Sequence, residues 1–87
     1  MTQSSRKVRK KNLIDWSAVG QRVRELRGFH MTQMEFARRI GVSQGYLSSI
    51  ERGEKEIGAA VLLAISQEYG QSVEWLLTGK GSELKTK

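Results

Sequence analysis

Eleven residues, Ser43 to Gly53 (S-Q-G-Y-L-S-S-I-E-R-G), carry the most telling side-chain chemistry in the 87-residue chain. Placed on a helix, Leu47 and Ile50 turn one way, while Gln44, Gly45, Ser48, Ser49 and Arg52 form the outer face. That face is small or polar throughout. A glutamine at a helix start can donate and accept together, which matches the paired groups on the major-groove edge of adenine. Gly45 lets a backbone approach closely, and the two serines can hydrogen-bond a base edge or a backbone with weak discrimination. Arg38, Arg39, Arg52 and Lys55 add cations within reach of phosphates, and Tyr46 either packs or bonds a phosphate. This is the chemistry of reading a polyanion by hydrogen bonds.

Bond-making chemistry finds no support. The chain has one histidine (His30), one aspartate (Asp15) and no cysteine, and it contains neither a G-x-S-x-G nor a glycine-rich phosphate loop. The expectation is therefore no enzyme, no metal, no cofactor and no small-molecule ligand. Absence of cysteine also rules out disulfides and fits a reducing cytosol. No apolar run approaches the roughly eighteen residues that a membrane helix needs.

The net charge of +6 is unevenly spread. Arg6, Lys7, Arg9, Lys10 and Lys11 make residues 1–12 a basic arm with little apolar content, expected to be disordered alone and to order on DNA. A solvated tail is the plainer alternative. Residues 22–55 hold seven basic and four acidic side chains, whereas Asp15, Glu56, Glu68 and Glu74 form an acidic remainder. A basic face opposite an acidic end points to a polyanionic partner. Residues 80–87 read as a polar tail.

The elements that would position these groups follow from capping signals within residues 13–79. Thr32 and Glu35 form a T-x-x-E capping box, with Met31 and Phe36 at the two staple positions. Ser43 caps the next helix eleven residues later, with Val42 and Leu47 as its staple. Gly41 stands where a helix end needs a left-handed residue, and Gly53 can end the second helix similarly. Before this pair, Leu13 to Gly28 predicts a helix capped by Asp15 or Ser17, with Val19, Val23 and Leu26 as its apolar stripe. Phe29 in the following loop is expected to plug the core. After the pair, Gly58 to Tyr69 predicts a helix buried through Val61, Leu62, Ile65 and Tyr69, and Ser72 to Gly79 a short one. The result is an all-α domain of five helices, its second and third joined by a glycine-containing turn.

Thr32-Gln33, Phe36-Ala37, Gly41-Val42-Ser43, Leu47-Ser48, Ile50-Glu51 and Gly53 resemble the signature of the Cro and phage-repressor (XRE) type of helix-turn-helix. Three departures are a loop between Arg27 and Thr32 about one residue shorter than the family's, His30 in place of a glycine, and the lack of a proline after Gly53. The resemblance implies a lambda-repressor-like fold and a sequence-specific transcriptional regulator in the bacterial or phage-encoded, nucleoid-associated cytoplasm. It implies a repressor in preference to an activator, bound as a homodimer to a near-palindromic operator in double-stranded DNA. The side-chain chemistry gives base contacts to Gln44, Gly45, Ser48 and Ser49 and phosphate contacts to Ser43, Tyr46, Arg38, Arg39, Arg52 and Lys55, and the resemblance adds a phosphate contact at Gln33. Gln33 would also brace Gln44, Arg27 would pair with Glu51, and Trp75 or Leu77 would offer a dimer contact. The rival class is a protein-interaction module, such as an antitoxin-type or oligomerisation domain; RNA is a weaker partner because its narrow major groove excludes a helix.

Overall fold

The computed structural model describes residues 13–81 and contains five helices: α1 (Trp16–Arg27), α2 (Gln33–Ile40), α3 (Gln44–Glu51), α4 (Ala59–Tyr69) and α5 (Val73–Thr78). No strand occurs among the described residues. None of the helices is long and apolar enough to cross a membrane.

Local chemistry sets most of the boundaries. Asp15 is the cap of α1, its carboxylate accepting from the Ser17 and Ala18 amides at 3.1 and 3.2 Å. The capping box forms in full: the Glu35 amide donates to Thr32 Oγ1 at 3.1 Å, and the Thr32 amide donates to Glu35 Oε1 at 3.0 Å. Ser43 and Ser72 cap α3 and α5 by accepting from Tyr46 and Trp75 amides. Such caps are worth about 1 kcal/mol each. α4 starts without one, because its cap position is Gly58. Gly41 takes φ +82° and ends α2, so that the chain reverses into Val42 and Ser43.

The helices close into a ring around one core. α1 packs on α3, α3 on α2, α2 on α4, α4 on α5, and α5 back on α1. Val19 and Val23, Phe36, Ala37 and Ile40, Leu47 and Ile50, Leu62 and Ile65, and Leu76 are the buried apolar residues that the five helices contribute, joined by Ile57 from the loop before α4. Phe36 stacks on Tyr69 with ring centroids 4.9 Å apart, which ties α2 to α4. Arg22 closes the ring by donating to the Leu76 carbonyl at 2.8 Å, satisfying an otherwise free acceptor at the end of α5.

The seam between α1 and α3 is the tightest in the fold. A Cβ on Gly20 would run into the Ile50 carbonyl oxygen and come within 3.0 Å of the Glu51 carbonyl oxygen. Gly53, at φ +77°, would place a Cβ 2.7 Å from Ser17 Cα. Phe29 departs from expectation: it is fully exposed instead of plugging the core. The short loop after α1 leaves it on the rim, and Phe36 and Tyr69 already fill the interior nearby.

Candidate nucleic-acid interface

A directed chain of hydrogen bonds links α1 to the exposed start of α3. Arg27, at the end of α1, donates from Nε and Nη2 to both oxygens of Glu51 at 2.8 and 2.9 Å. The Glu51 side chain is only 5% exposed. A third Arg27 donor, Nη1, holds the Met31 carbonyl at 3.1 Å. Because a carboxylate only accepts, Gln33 turns its amide nitrogen to Glu51 Oε1 at 3.0 Å. The Gln33 oxygen then faces Gln44, whose amide nitrogen donates to it across a long 3.4 Å. Gln44 itself is exposed, with its own oxygen and one N–H left over.

Burial pushes the Glu51 carboxyl up, but hydrogen bonds from Arg27 and Gln33, with the charges of Arg27 and Arg24, outweigh it and hold the group below its ordinary value. The same hydrogen bond raises Arg27 further. The pair is thus ionised, and its role is to fix where Gln33 and Gln44 point.

Gln44, Gly45, Ser48 and Arg52 fall within an arc of about 100° on α3, so one face presents them together. Gln44, Gly45 and Arg52 are exposed, while Ser48 and Ser49 are half-buried. A Cβ on Gly45 would meet nothing within 4 Å, so that the helix backbone is bare to solvent there.

The expected phosphate contacts divide. Lys55 is exposed, Gln33 is half-buried with its amide nitrogen on Glu51 and its oxygen facing Gln44, and Ser43 is engaged as the cap of α3. The Tyr46 ring packs on the core and its hydroxyl donates to the Glu56 carbonyl at 3.3 Å, which favours packing over an anion contact. Arg38 and Arg39 lie about 140° and 240° round α2 from Gln33. With Arg27, Phe29, His30 and Met31 they line a cleft of about 700 Å³ that includes none of Gln44, Gly45, Ser48 and Arg52. Arg39 also reaches Glu68 at 3.5 Å, so the acidic residues are not wholly segregated from the basic ones. Arg52 is engaged by Glu54, a partner that the spacing did not suggest. Trp75 and Leu77 are half-buried against the core rather than openly exposed. Arg6, Lys7, Arg9, Lys10 and Lys11 lie outside the described residues.

Comparison with known proteins bears on the family and the fold. Residues 21–76 match a family described as helix-turn-helix. A propionyl-CoA carboxylase regulator of Cereibacter sphaeroides is 38% identical over 68 residues, covering 77% of this chain and 15% of that protein. The antitoxin PezA of Streptococcus pneumoniae is 34% identical over 55 residues, covering 62% of this chain and 35% of PezA. This chain therefore spans well under half the length of those relatives. The restriction-modification controller protein C.AhdI of Aeromonas hydrophila superimposes with a TM-score of 0.64 at 26% identity, over 72% of this chain and 97% of that one. The clp gene regulator ClgR of Corynebacterium glutamicum gives 0.62 at 35% identity, over 70% and 66% respectively.

Proposed function

The chain belongs to the helix-turn-helix family of DNA-binding regulators, and from that premise we propose that it is a sequence-specific regulator of transcription that reads duplex DNA with the outer face of α3. The observation that carries this is the chain of bonds from Arg27 through Glu51 and Gln33 to Gln44. It leaves on Gln44 one acceptor and one donor, the complement of the adenine N6 and N7 pair. Gly45, Ser48 and Ser49 complete the base-facing group. Gln33 and Lys55, together with the free N–H groups at the start of α2, supply phosphate contacts. The basic arm, Arg6 to Lys11, adds affinity that does not depend on sequence.

A homodimer would place two copies of α3 about 34 Å apart in successive major grooves of a near-palindromic operator. Trp75 and Leu77 are its proposed contacts through their exposed portions. Repression follows if the bound dimer occludes polymerase. Among the relatives, C.AhdI is named a controller protein and ClgR a gene regulator, which supports a regulatory role. A cytoplasmic location accords with this. The likeness to PezA, named an antitoxin, favours a second reading in which a protein is the main partner.

Selection of bound sequences from random duplex DNA, followed by titration of the winner at two salt concentrations, separates the two. Enrichment of an inverted repeat supports the regulator. Absence of binding at low salt overturns it in favour of a protein partner.

A further inference from the structure

One residue beyond the end of α3 governs how two residues of its outer face, Ser48 and Arg52, behave. Arg52 is held at both ends of its guanidinium. Nε and Nη2 donate to the two carboxylate oxygens of Glu54, each at 3.0 Å, and Nη1 donates to Ser48 Oγ. The hydrogen bond from Arg52 holds the Glu54 carboxyl below its ordinary value, so the pair is ionised at neutral pH. Both side chains are more than half exposed, at 56% and 55%. Exposed pairs contribute little to stability. The consequence of this one lies in charge placement and in the direction of a proton.

A guanidinium has donors only, so Ser48 must accept from it. Its hydroxyl hydrogen is left to point elsewhere, and among the described residues it makes no bond of its own. The adjacent positive charge also disfavours any donor approaching that hydroxyl. Ser48 is thereby set as a donor toward groove acceptors: guanine N7 and O6, thymine O4 or adenine N7. Cytosine, which offers only its N4 donor, is the base it rejects. Glu54 also keeps Arg52 folded against α3 and away from the phosphates, where it would bind any sequence equally.

We propose that Glu54 is a specificity-determining residue: it withholds Arg52 from the phosphate backbone and, through Arg52, makes Ser48 a one-way donor that discriminates against cytosine. This rests on the reading of α3 as the base-reading helix. Glu54 touches no base and is a positioning residue.

The test uses the full chain as wild type, Ser48→Ala and Glu54→Ala, with thermal melting to confirm an unchanged fold. Each is put through selection from random duplex DNA and titrated against an arbitrary duplex at several salt concentrations. Ser48→Ala identifies the base position concerned by losing about fivefold discrimination against cytosine there. Glu54→Ala is expected to lose a similar factor at the same position. Its binding to arbitrary duplex should tighten, and its log–log salt slope should steepen by about 0.9 as Arg52 takes a phosphate. A Glu54→Ala chain that keeps the wild-type preference at that position, or the wild-type salt slope, overturns the assignment alone. A wild type that enriches no sequence overturns the underlying reading and this assignment with it.

Discussion

The two long sides of α3 meet opposite surroundings. Toward α1, Ile50 and Glu51 lie under Gly20, which has no room for even one added carbon, and the Arg27–Glu51 pair locks the seam electrostatically. Toward solvent, Gly45 has open space where a side chain would be, and Gln44 is held only by one long hydrogen bond. The same eight residues thus carry backbone contact on one side and replaceable chemistry on the other. Substitutions on the seam should act on stability first and on binding second. Those on the outer face should act on binding first, and on stability only where helix propensity changes.

The sharpest way to break that division is at Gly20. Gly20→Val is expected to cost about 4 kcal/mol, because backbone must move and overpacking cannot relax into flexible side chains. Loss of a cooperative thermal transition would register it; an unchanged melting temperature would show that the seam is loose. Glu51→Ala should come next, at about 3 kcal/mol by chemical denaturation, since it strands Arg27. It should also weaken DNA binding by freeing Gln33 and Gln44, the only substitution here expected to move both properties strongly.

Acid titrates the same pair. Glu51 is held below its ordinary value of 4.5 when folded, so its contribution is complete above that pH and is lost as pH falls through the depressed value. Denaturation midpoints between pH 6 and pH 2.5 should fall more steeply for wild type than for Glu51→Gln. On the outer face, Gln44→Ala should cost about 1–3 kcal/mol in binding, relax preference at one base position, and leave the melting temperature in place. Gly45→Ala is the smallest effect: a gain of about 1 kcal/mol in stability from helix propensity, read by melting, with weaker binding where the backbone must approach DNA.

What could be read before folding was what depends on neighbours in sequence. Asp15, Thr32 with Glu35, Ser43, Ser72 and Gly41 announce helix ends through bonds spanning two to four residues, and these appear where expected. Val19, Val23, Phe36, Ala37, Leu47 and Ile50 follow from periodicity. Long-range pairing was legible only where the family resemblance supplied it, as with Arg27 and Glu51. Arg52 with Glu54, Arg39 with Glu68 and Arg22 with the Leu76 carbonyl depend on how long, flexible side chains come to rest. Phe29 misled because hydrophobicity states a preference for burial, not whether the interior has space left. Ile57, buried between charged residues and Gly58, has no periodic partner to reveal it. Gly20 did leave a signal: a glycine inside a helix sacrifices about 1 kcal/mol against alanine, which calls for a packing reason.

The closed ring of helices limits what can be borrowed from this molecule. A segment from Thr32 to Gly53 looks portable, since it holds its own caps and its own turn. Lifting it out would bare Phe36, Ala37, Ile40, Leu47 and Ile50 together, the sides that α1 and α4 cover. Each helix in a ring has two neighbours, so no terminal piece can be trimmed without uncovering two others. A graft of new base preference onto another scaffold would therefore have to transplant all five helices, whereas exchanging Gln44, Gly45, Ser48 and Ser49 in place would leave every buried neighbour where it is.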